Sequence, residues 1–509
     1  MRPRRRDSQA AGAAPAIARS SRYRQLLNPF EPVRIFSDEE VESMHVAALG
    51  ILERLGMRVL SQRGRAILAA AGAAVDETSQ MVRLDRGLVA TALATVPAEA
   101  SLIATNPARS CRVGGRHVVF APVAGPPNVS DLQRGRRGGT MEDFRDFVRL
   151  SQAFDVIHVL GQASEPMDTT TSERHLETTL AQLTLGDKVP HFYSRGQAQL
   201  ADCFAMLRIA QGIDEDTFRS APRCYTICNT NSPLQLDLPM TEGIIDFAAN
   251  GQLVIVTPFT LAGAMAPITI SGALTLAHAE ALFGMALAQF VRPGAPVMYG
   301  SFTSNVDMKS GSPAFGTPEY TKAAFGAGQL ARRIGAPWRC SSATAANAPD
   351  AQSVYESQMS LWGALFGGSH FVLHAAGWLE GGLTASYEKF ILDVEMLQMF
   401  AEMFQPLSAS AEEIGVEAIA EAGPGGHFFA TAHTMQRYRD AFYSPLVSDW
   451  RNYGAWFEGG AKTATERANS LWRKTLEDFQ PPTMDPAVRT ALTDFVERRK
   501  REGGAPPAG

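Results

Sequence analysis

The sequence predicts an α/β protein, a (β/α)₈ TIM barrel with helical extensions at both ends, and three observations carry that expectation. Eight short runs rich in apolar, β-branched and aromatic residues recur across residues 116–405, with a helical pattern after each. The runs are apolar nearly throughout, as strands buried on both faces must be. Eight such units favour closure into a barrel over the alternative, an open doubly wound sheet.

The elements follow in order. Residues 1–30 open with MRPRRRDSQAAGAAPAIARSSR, which lacks the apolar centre of a secretory signal and reads as a disordered basic tail. Residues 31–115 read as a helical region. Ser37 and the acidic residues after it make an N-cap, followed by Val41, Met44, Ala48, Ile51 and Leu52 at helical spacing. Two further helices are expected at Gln62–Ala71 and Leu84–Thr95.

The eight strands are expected at His117–Val123, Val156–Ala163, Val189–Ser194, Arg223–Asn229, Gln252–Thr257, Ala295–Ser301, Ala336–Ser341 and Ser369–His374. Between them fall helical patterns at Met141–Ala153, Ser172–Gly186, Gln197–Ile209, Met240–Ala249, Gly272–Val291, Pro318–Ile334 and Ala351–Phe366. Tyr387–Phe404 closes the series. Residues 406–500 read as a helical region docked on the barrel, with helices at Arg437–Phe442, Trp450–Phe457 and Thr463–Phe479; residues 501–509 read as a frayed end.

Composition narrows the function. A net charge of −5 gives no basic face for nucleic acid. The uncharged stretch Leu253–Ala279 is broken by Pro258 and Pro267, so it reads as strand, loop and helix start and no membrane span is needed. Five scattered cysteines suit a reducing cytoplasm, and the Cys224/Cys228 pair has no second half for a metal site.

In a barrel the chemistry sits at the C-terminal ends of the strands. Those positions hold no His/Cys/carboxylate cluster at metal spacing, no Walker loop, no G-x-S-x-G and no Schiff-base lysine. No directly bound metal is expected, and a cofactor supplied from outside would carry the reaction. Aromatic residues are plentiful on the rim, where ring faces bind quaternary ammonium groups. His374 closes the eighth strand as a candidate polar group, while His370 sits inside that strand as structure.

Several motifs then point one way: PDAQSVYES (Pro349–Ser357), HAAGWLEGGLTASYEKFILDVEM (His374–Met396), GGHFFATAHT (Gly425–Thr434) and DLQRGRRGGTMEDF (Asp131–Phe144). Together, from Phe36 to Leu476, the chain resembles the trimethylamine methyltransferase family, although that family more often has Pro before the second Gly of the last motif. The resemblance implies a barrel that demethylates an amine and passes the methyl to the Co(I) corrinoid (cobalamin) of a separate, cognate corrinoid protein. Founding members carry pyrrolysine and use trimethylamine. Here the matching stretch, within Cys340–Asn347 (CSSATAAN), has only small ordinary residues.

Relatives without pyrrolysine demethylate glycine betaine and other quaternary amines, and elementary chemistry agrees. A quaternary nitrogen departs as a neutral tertiary amine, so neither a proton donor nor covalent activation is required. The expected substrate is a betaine. A cage is expected from Tyr193, Tyr299, Phe315, Tyr355 and Trp378, with Glu380 also at the substrate and Arg195 or Arg339 on a carboxylate. His374 is expected to orient the methyl or contact the corrinoid, with Ser341 and Ser342 beside it. The alternatives are a trimethylamine or other methylamine methyltransferase, a barrel demethylase with a folate acceptor, and a binding protein for methylated osmolytes. A homo-oligomer in the cytoplasm is expected.

Overall fold

The computed structural model describes residues 19–507. Of the basic tail expected over 1–30, residues 1–18 lie outside the described residues. From there Tyr23 is buried, and Leu26–Leu27 pairs antiparallel with His117 and Val118. The fold is mixed α/β.

Six of the eight expected strands are continuous: β1 (His117–Phe120), β2 (Tyr225–Thr230), β3 (Leu253–Ala262), β4 (Val297–Gly300), then, past an added strand β5 (Phe302–Val306), β6 (Trp338–Ser341) and β7 (Phe371–Leu373). They form one parallel ladder in the order β2–β3–β4–β6–β7–β1. The segments at 156–163 and 189–194 carry only isolated parallel bridges, Val159 with Val189 and His191 with Tyr225. The His158 amide donates to the Phe120 carbonyl (2.9 Å), and Leu160 to Val189 (2.9 Å).

The period-2 geometry of a strand sends alternate side chains to opposite faces. Val119, Val159, Val189, Tyr225, Ile255, Met298, Phe371 and Leu373 join one apolar cluster on one face of the strands. Their neighbours Val118, Phe120, Val254, Val256, Val297, Tyr299, Trp338 and Val372 join the larger core beneath the helices. The helices Met141–Ala153 and Ala351–Phe366 lie where the spacing predicts, and the other six of that series differ by one or two residues at an end. Helix Ile270–Val291 is long and apolar enough to cross a membrane, yet 83% of its most apolar window is buried inside the fold.

The region expected to be helical over 31–115 is mixed. Its three helices, Asp38–Arg54, Gln62–Ala70 and Arg86–Leu93, are accompanied by three-residue strands Met57–Val59, Ala74–Asp76 and Met81–Arg83, and by the hairpin Glu99–Leu102/Cys111–Gly114. Runs of three or four residues are too short for a period to register. The helix expected at Arg437–Phe442 lies instead at Ala432–Arg437, where Thr431 caps it. A last helix, Pro486–Arg501, packs on Arg174–Leu185 and Gln197–Gln211. Beyond it Ala505 is buried, its amide donating to the Ser172 carbonyl (2.9 Å).

Candidate active site

At the end of β7 the chain turns sharply. His374 adopts φ +58°, a left-handed conformation that costs a residue with a Cβ about 1–2 kcal/mol, and Gly377 follows at φ +94°. The turn is held from behind. The Gly377 amide donates to Asp393 Oδ2 (2.8 Å), and Asp393 is ion-paired to Lys389, both side chains fully buried. Lys389 Nζ also donates to Ser357 Oγ (2.9 Å). The strained turn is thus imposed by a buried ion pair on helix Tyr387–Met403.

The turn delivers His374 and Trp378 to an aromatic cluster. Their ring centroids are 4.0 Å apart. Phe302, at the start of β5, lies 5.7 Å from His374 and 5.9 Å from Trp378, and stacks on Phe315 at 5.2 Å. Phe259 of β3 joins at 5.2 Å from Phe302, its register partner. Trp378 Nε1 donates to the Thr344 carbonyl (3.1 Å), so the stretch after β6 is tied to this cluster.

Beside this cluster Arg339 is buried. Its parity on β6 is opposite to that of Trp338, which faces the helices. Its guanidinium lies 5.6 Å from the Phe302 ring centre. One long contact, Nη1 to the Ser301 carbonyl (3.4 Å), is its hydrogen bond; Nε has no partner, and no described carboxylate pairs with it. Burial pushes its pKa down to about 10, which leaves it cationic at neutral pH. An isolated buried cation is unfavourable unless something compensates it.

Further buried polar groups also lack partners, His374 among them, close enough to Arg339 to feel its charge. His374 Nδ1, both ring nitrogens of His191, Ser341 Oγ and Tyr193 Oη are buried without partners. Burial holds His374 well below the ordinary imidazole range, and nearby Arg339 and His191 push the same way. His191 stacks on Tyr225 at 4.7 Å, and Tyr193 meets it edge-on at 5.1 Å. A set of buried donors and acceptors without partners is what a polar ligand site requires.

Not every expected residue joins this set. Phe315, Trp378, Arg339, His374 and Ser341 come together; Ser342, buried, is tied to the β7 backbone through its amide (2.9 Å to Leu373). Tyr299 does not. It has the outward parity of β4, and its hydroxyl hydrogen-bonds His278 Nδ1 (3.1 Å). Tyr355 is exposed on helix Ala351–Phe366. Arg195 lies over Tyr193 (4.4 Å) with both nitrogens on Glu165 (2.5 and 2.8 Å), so its charge is already compensated. Glu380 is likewise taken by Arg136 (2.9 Å).

His191, Phe259 and the central place of Phe302 escaped the reading of the sequence. For His191 a signal existed, because it shares the parity of Val189 and Tyr193. Among the described residues no three His, Cys, Asp or Glu side chains converge as a metal site.

The buried histidines give a pH signature. Burial lowers His191 to about 3 and His158 to about 4, against an ordinary 6.5. Below that ordinary value the unfolded chain binds protons that the folded chain refuses, so stability rises with pH across the window between. Stability should therefore be full above about pH 6.5 and fall on acidification, by up to about 1.4 kcal/mol per pH unit for each such histidine. Thermal unfolding between pH 8 and 4 checks this; a Tm that rises on acidification contradicts it.

The description of the trimethylamine methyltransferase (MTTB) family matches residues 2–504. The chain belongs to this family. The glycine betaine methyltransferase of Desulfitobacterium hafniense is 32% identical over 472 residues, which cover 92% of this chain and 98% of that protein. The trimethylamine methyltransferase MttB of the same species is 29% identical, covering 92% and 94%, and MttB2 of Methanosarcina mazei is 26% identical, covering 92% and 96%. Among solved structures, the monomethylamine methyltransferase of Methanosarcina barkeri superposes with a TM-score of 0.47 at 12% identity over 90% of this chain and 97% of that one. As a member of the trimethylamine methyltransferase family, the chain is a methyltransferase.

Proposed function

We propose that this methyltransferase takes a methyl group from a quaternary amine bearing a carboxylate, glycine betaine or a related betaine, and gives it to the Co(I) corrinoid of a cognate corrinoid protein in the cytoplasm. The observation that carries the substrate reading is Arg339, a buried cation without a carboxylate partner, set against an aromatic cluster. A betaine supplies both missing halves, its carboxylate to Arg339 and its ammonium to the rings of Trp378, Phe302 and Phe315.

The scaffold in this reading is a (β/α)₈ barrel over residues 116–405, with 31–115 and 406–500 laid against it. The ladder from β2 round to β1, together with the bonds from His158 to Phe120, Leu160 to Val189 and Phe192 to Tyr225, supports closure of eight segments. The mouth would then be formed by the loops after the strands. Exposed Met167, Ile268, Met308 and Leu383 on those loops suit a face that a protein covers.

Within the site the protein's task is positioning. Arg339 fixes the carboxylate, and the rings hold the ammonium away from water. One methyl carbon is then presented to the acceptor, which His374 and Ser341 would meet through their unpaired polar atoms. The corrinoid supplies the nucleophile. The C–N bond breaks with its electron pair on nitrogen, so the departing amine is neutral and no residue moves a proton. That fits a site whose histidines are held neutral by burial.

Calorimetric titration tests the binding half. Glycine betaine should bind, while choline, without a carboxylate, and acetate, without an ammonium, should bind far more weakly. Equal binding of choline and glycine betaine contradicts the role of Arg339. Trp378→Leu removes one ring face and should raise KM roughly 2- to 30-fold, the equivalent of 0.5–2 kcal/mol. An unchanged KM in steady-state assays contradicts the cage.

A further inference from the structure

In the motif PDAQSVYES, Tyr355 is exposed, while its neighbour Glu356 is half-buried against the loop that follows β6. Asp350 caps helix Ala351–Phe366, its side chain accepting the amides of Gln352 (2.9 Å) and Ser353 (3.3 Å). Gln352 Nε2 then donates to Glu356 Oε1 (2.8 Å), a contact of i,i+4 spacing that fixes the direction of the carboxylate. The other oxygen, Oε2, accepts three donors from that one loop: the Ala345 amide (2.9 Å), the Ala346 amide (3.2 Å) and the Thr344 hydroxyl.

A trans peptide sends its N–H and its C=O in opposite directions. The peptide between Thr344 and Ala345 gives its N–H to Glu356, and its carbonyl accepts Trp378 Nε1 (3.1 Å) and the Gly381 amide (3.1 Å). The Ala346 carbonyl accepts the Glu380 amide (2.9 Å) in the same way. A single peptide plane therefore links the Glu356 carboxylate to the Trp378 indole. Hydrogen bonds to a carboxylate are roughly twice as strong as neutral ones, and bonds in a chain polarise one another. Glu356 meets the aromatic cluster by a second route. Gly316, at φ +68°, lies so close to the Glu356 backbone that any side chain there would collide with it. It follows Phe315, whose ring stacks on Phe302.

We propose that Glu356 is a positioning residue for methyl transfer, which sets the Trp378 ring by holding the loop Thr344–Ala346. Its effect on substrate rests on the betaine reading above; its effect on the ring rests on the hydrogen bonds alone. Without the carboxylate, two amides and a hydroxyl of the loop lose their acceptor, and the Thr344 carbonyl is no longer held toward the indole. An indole whose N–H is not fixed presents its face to an ammonium group only part of the time, and cation–π attraction depends on that face.

Fluorine NMR of the full chain labelled with 5-fluorotryptophan tests this without any substrate. The chain has six tryptophans, and the resonance lost in Trp378→Leu identifies Trp378. Glu356→Ala should shift and broaden that resonance, and Glu356→Gln, which keeps the shape and one acceptor oxygen, should move it part-way. A Trp378 resonance that stays in place overturns the proposal; if Glu356→Ala does not fold, Glu356→Gln alone decides. In steady-state assays Glu356→Ala should raise KM for glycine betaine by no more than the roughly 2- to 30-fold of Trp378→Leu, with Glu356→Gln between. Added to Trp378→Leu, it should raise KM by less than about 2-fold further, since two residues acting through one contact are not additive. Fully multiplied effects overturn the link to Trp378, as does a lower Tm with an unmoved resonance and KM. Trp378→Leu with an unchanged KM overturns the betaine reading instead, and the resonance still decides the role of Glu356.

Discussion

Arg339→Met should lower kcat/KM for glycine betaine by about 30- to several thousand-fold, because losing one partner of a buried, hydrogen-bonded charge pair costs about 2–5 kcal/mol. The same change should leave the fold of the ligand-free protein at least as stable as before. Arg339 is buried with its Nε unpaired and no carboxylate beside it, and an apolar side chain of similar length in place of an uncompensated charge is neutral or stabilising. Steady-state kinetics and thermal unfolding on one preparation separate the two effects. A structural arginine would show the reverse, a lower Tm with little change in kcat/KM.

Asp393→Ala should cost about 3–5 kcal/mol of stability, since it leaves Lys389 buried without its counter-ion. The substitution also frees the Gly377 amide, and with it the turn that carries His374 and Trp378. Activity should therefore fall further than stability alone explains when both are measured well below the Tm. Replacing the pair together, Lys389→Met with Asp393→Leu, should recover most of the stability while the turn stays unheld. Denaturant unfolding that places Asp393→Ala within 1 kcal/mol of the wild type would contradict a buried pair of this kind.

How much of this was legible in the sequence depended on length of pattern. Helices of twelve or more residues, such as Met141–Ala153 and Ala351–Phe366, repeat their apolar stripe several times, and their bounds follow from it. The strands of 156–163 and 189–194 were equally legible as apolar runs, yet in the fold they carry single bridges. Short strands near the N-terminus carry too few residues for any period.

The site was half legible. His374 and Trp378 share one motif, and strand-end placement brought Arg339 and Ser341 into view. Parity decided the rest. Tyr299 and Met298 are adjacent and face opposite ways, so naming a strand-end aromatic without counting twos along the strand put Tyr299 in a cage it does not join. The same count would have found His191, two residues before Tyr193. Pairings such as Glu165 with Arg195 and Arg136 with Glu380 join loops far apart in the chain, and no local pattern announces them.

The most direct measurement follows the visible spectrum of free cob(I)alamin with the purified protein and, in turn, glycine betaine, proline betaine, carnitine, choline, trimethylamine and dimethylamine. Methylcobalamin should form with a carboxylated quaternary amine, with little from choline and none from trimethylamine or dimethylamine. Methylation from trimethylamine alone, or from no amine even with a cognate corrinoid protein present, would contradict the account.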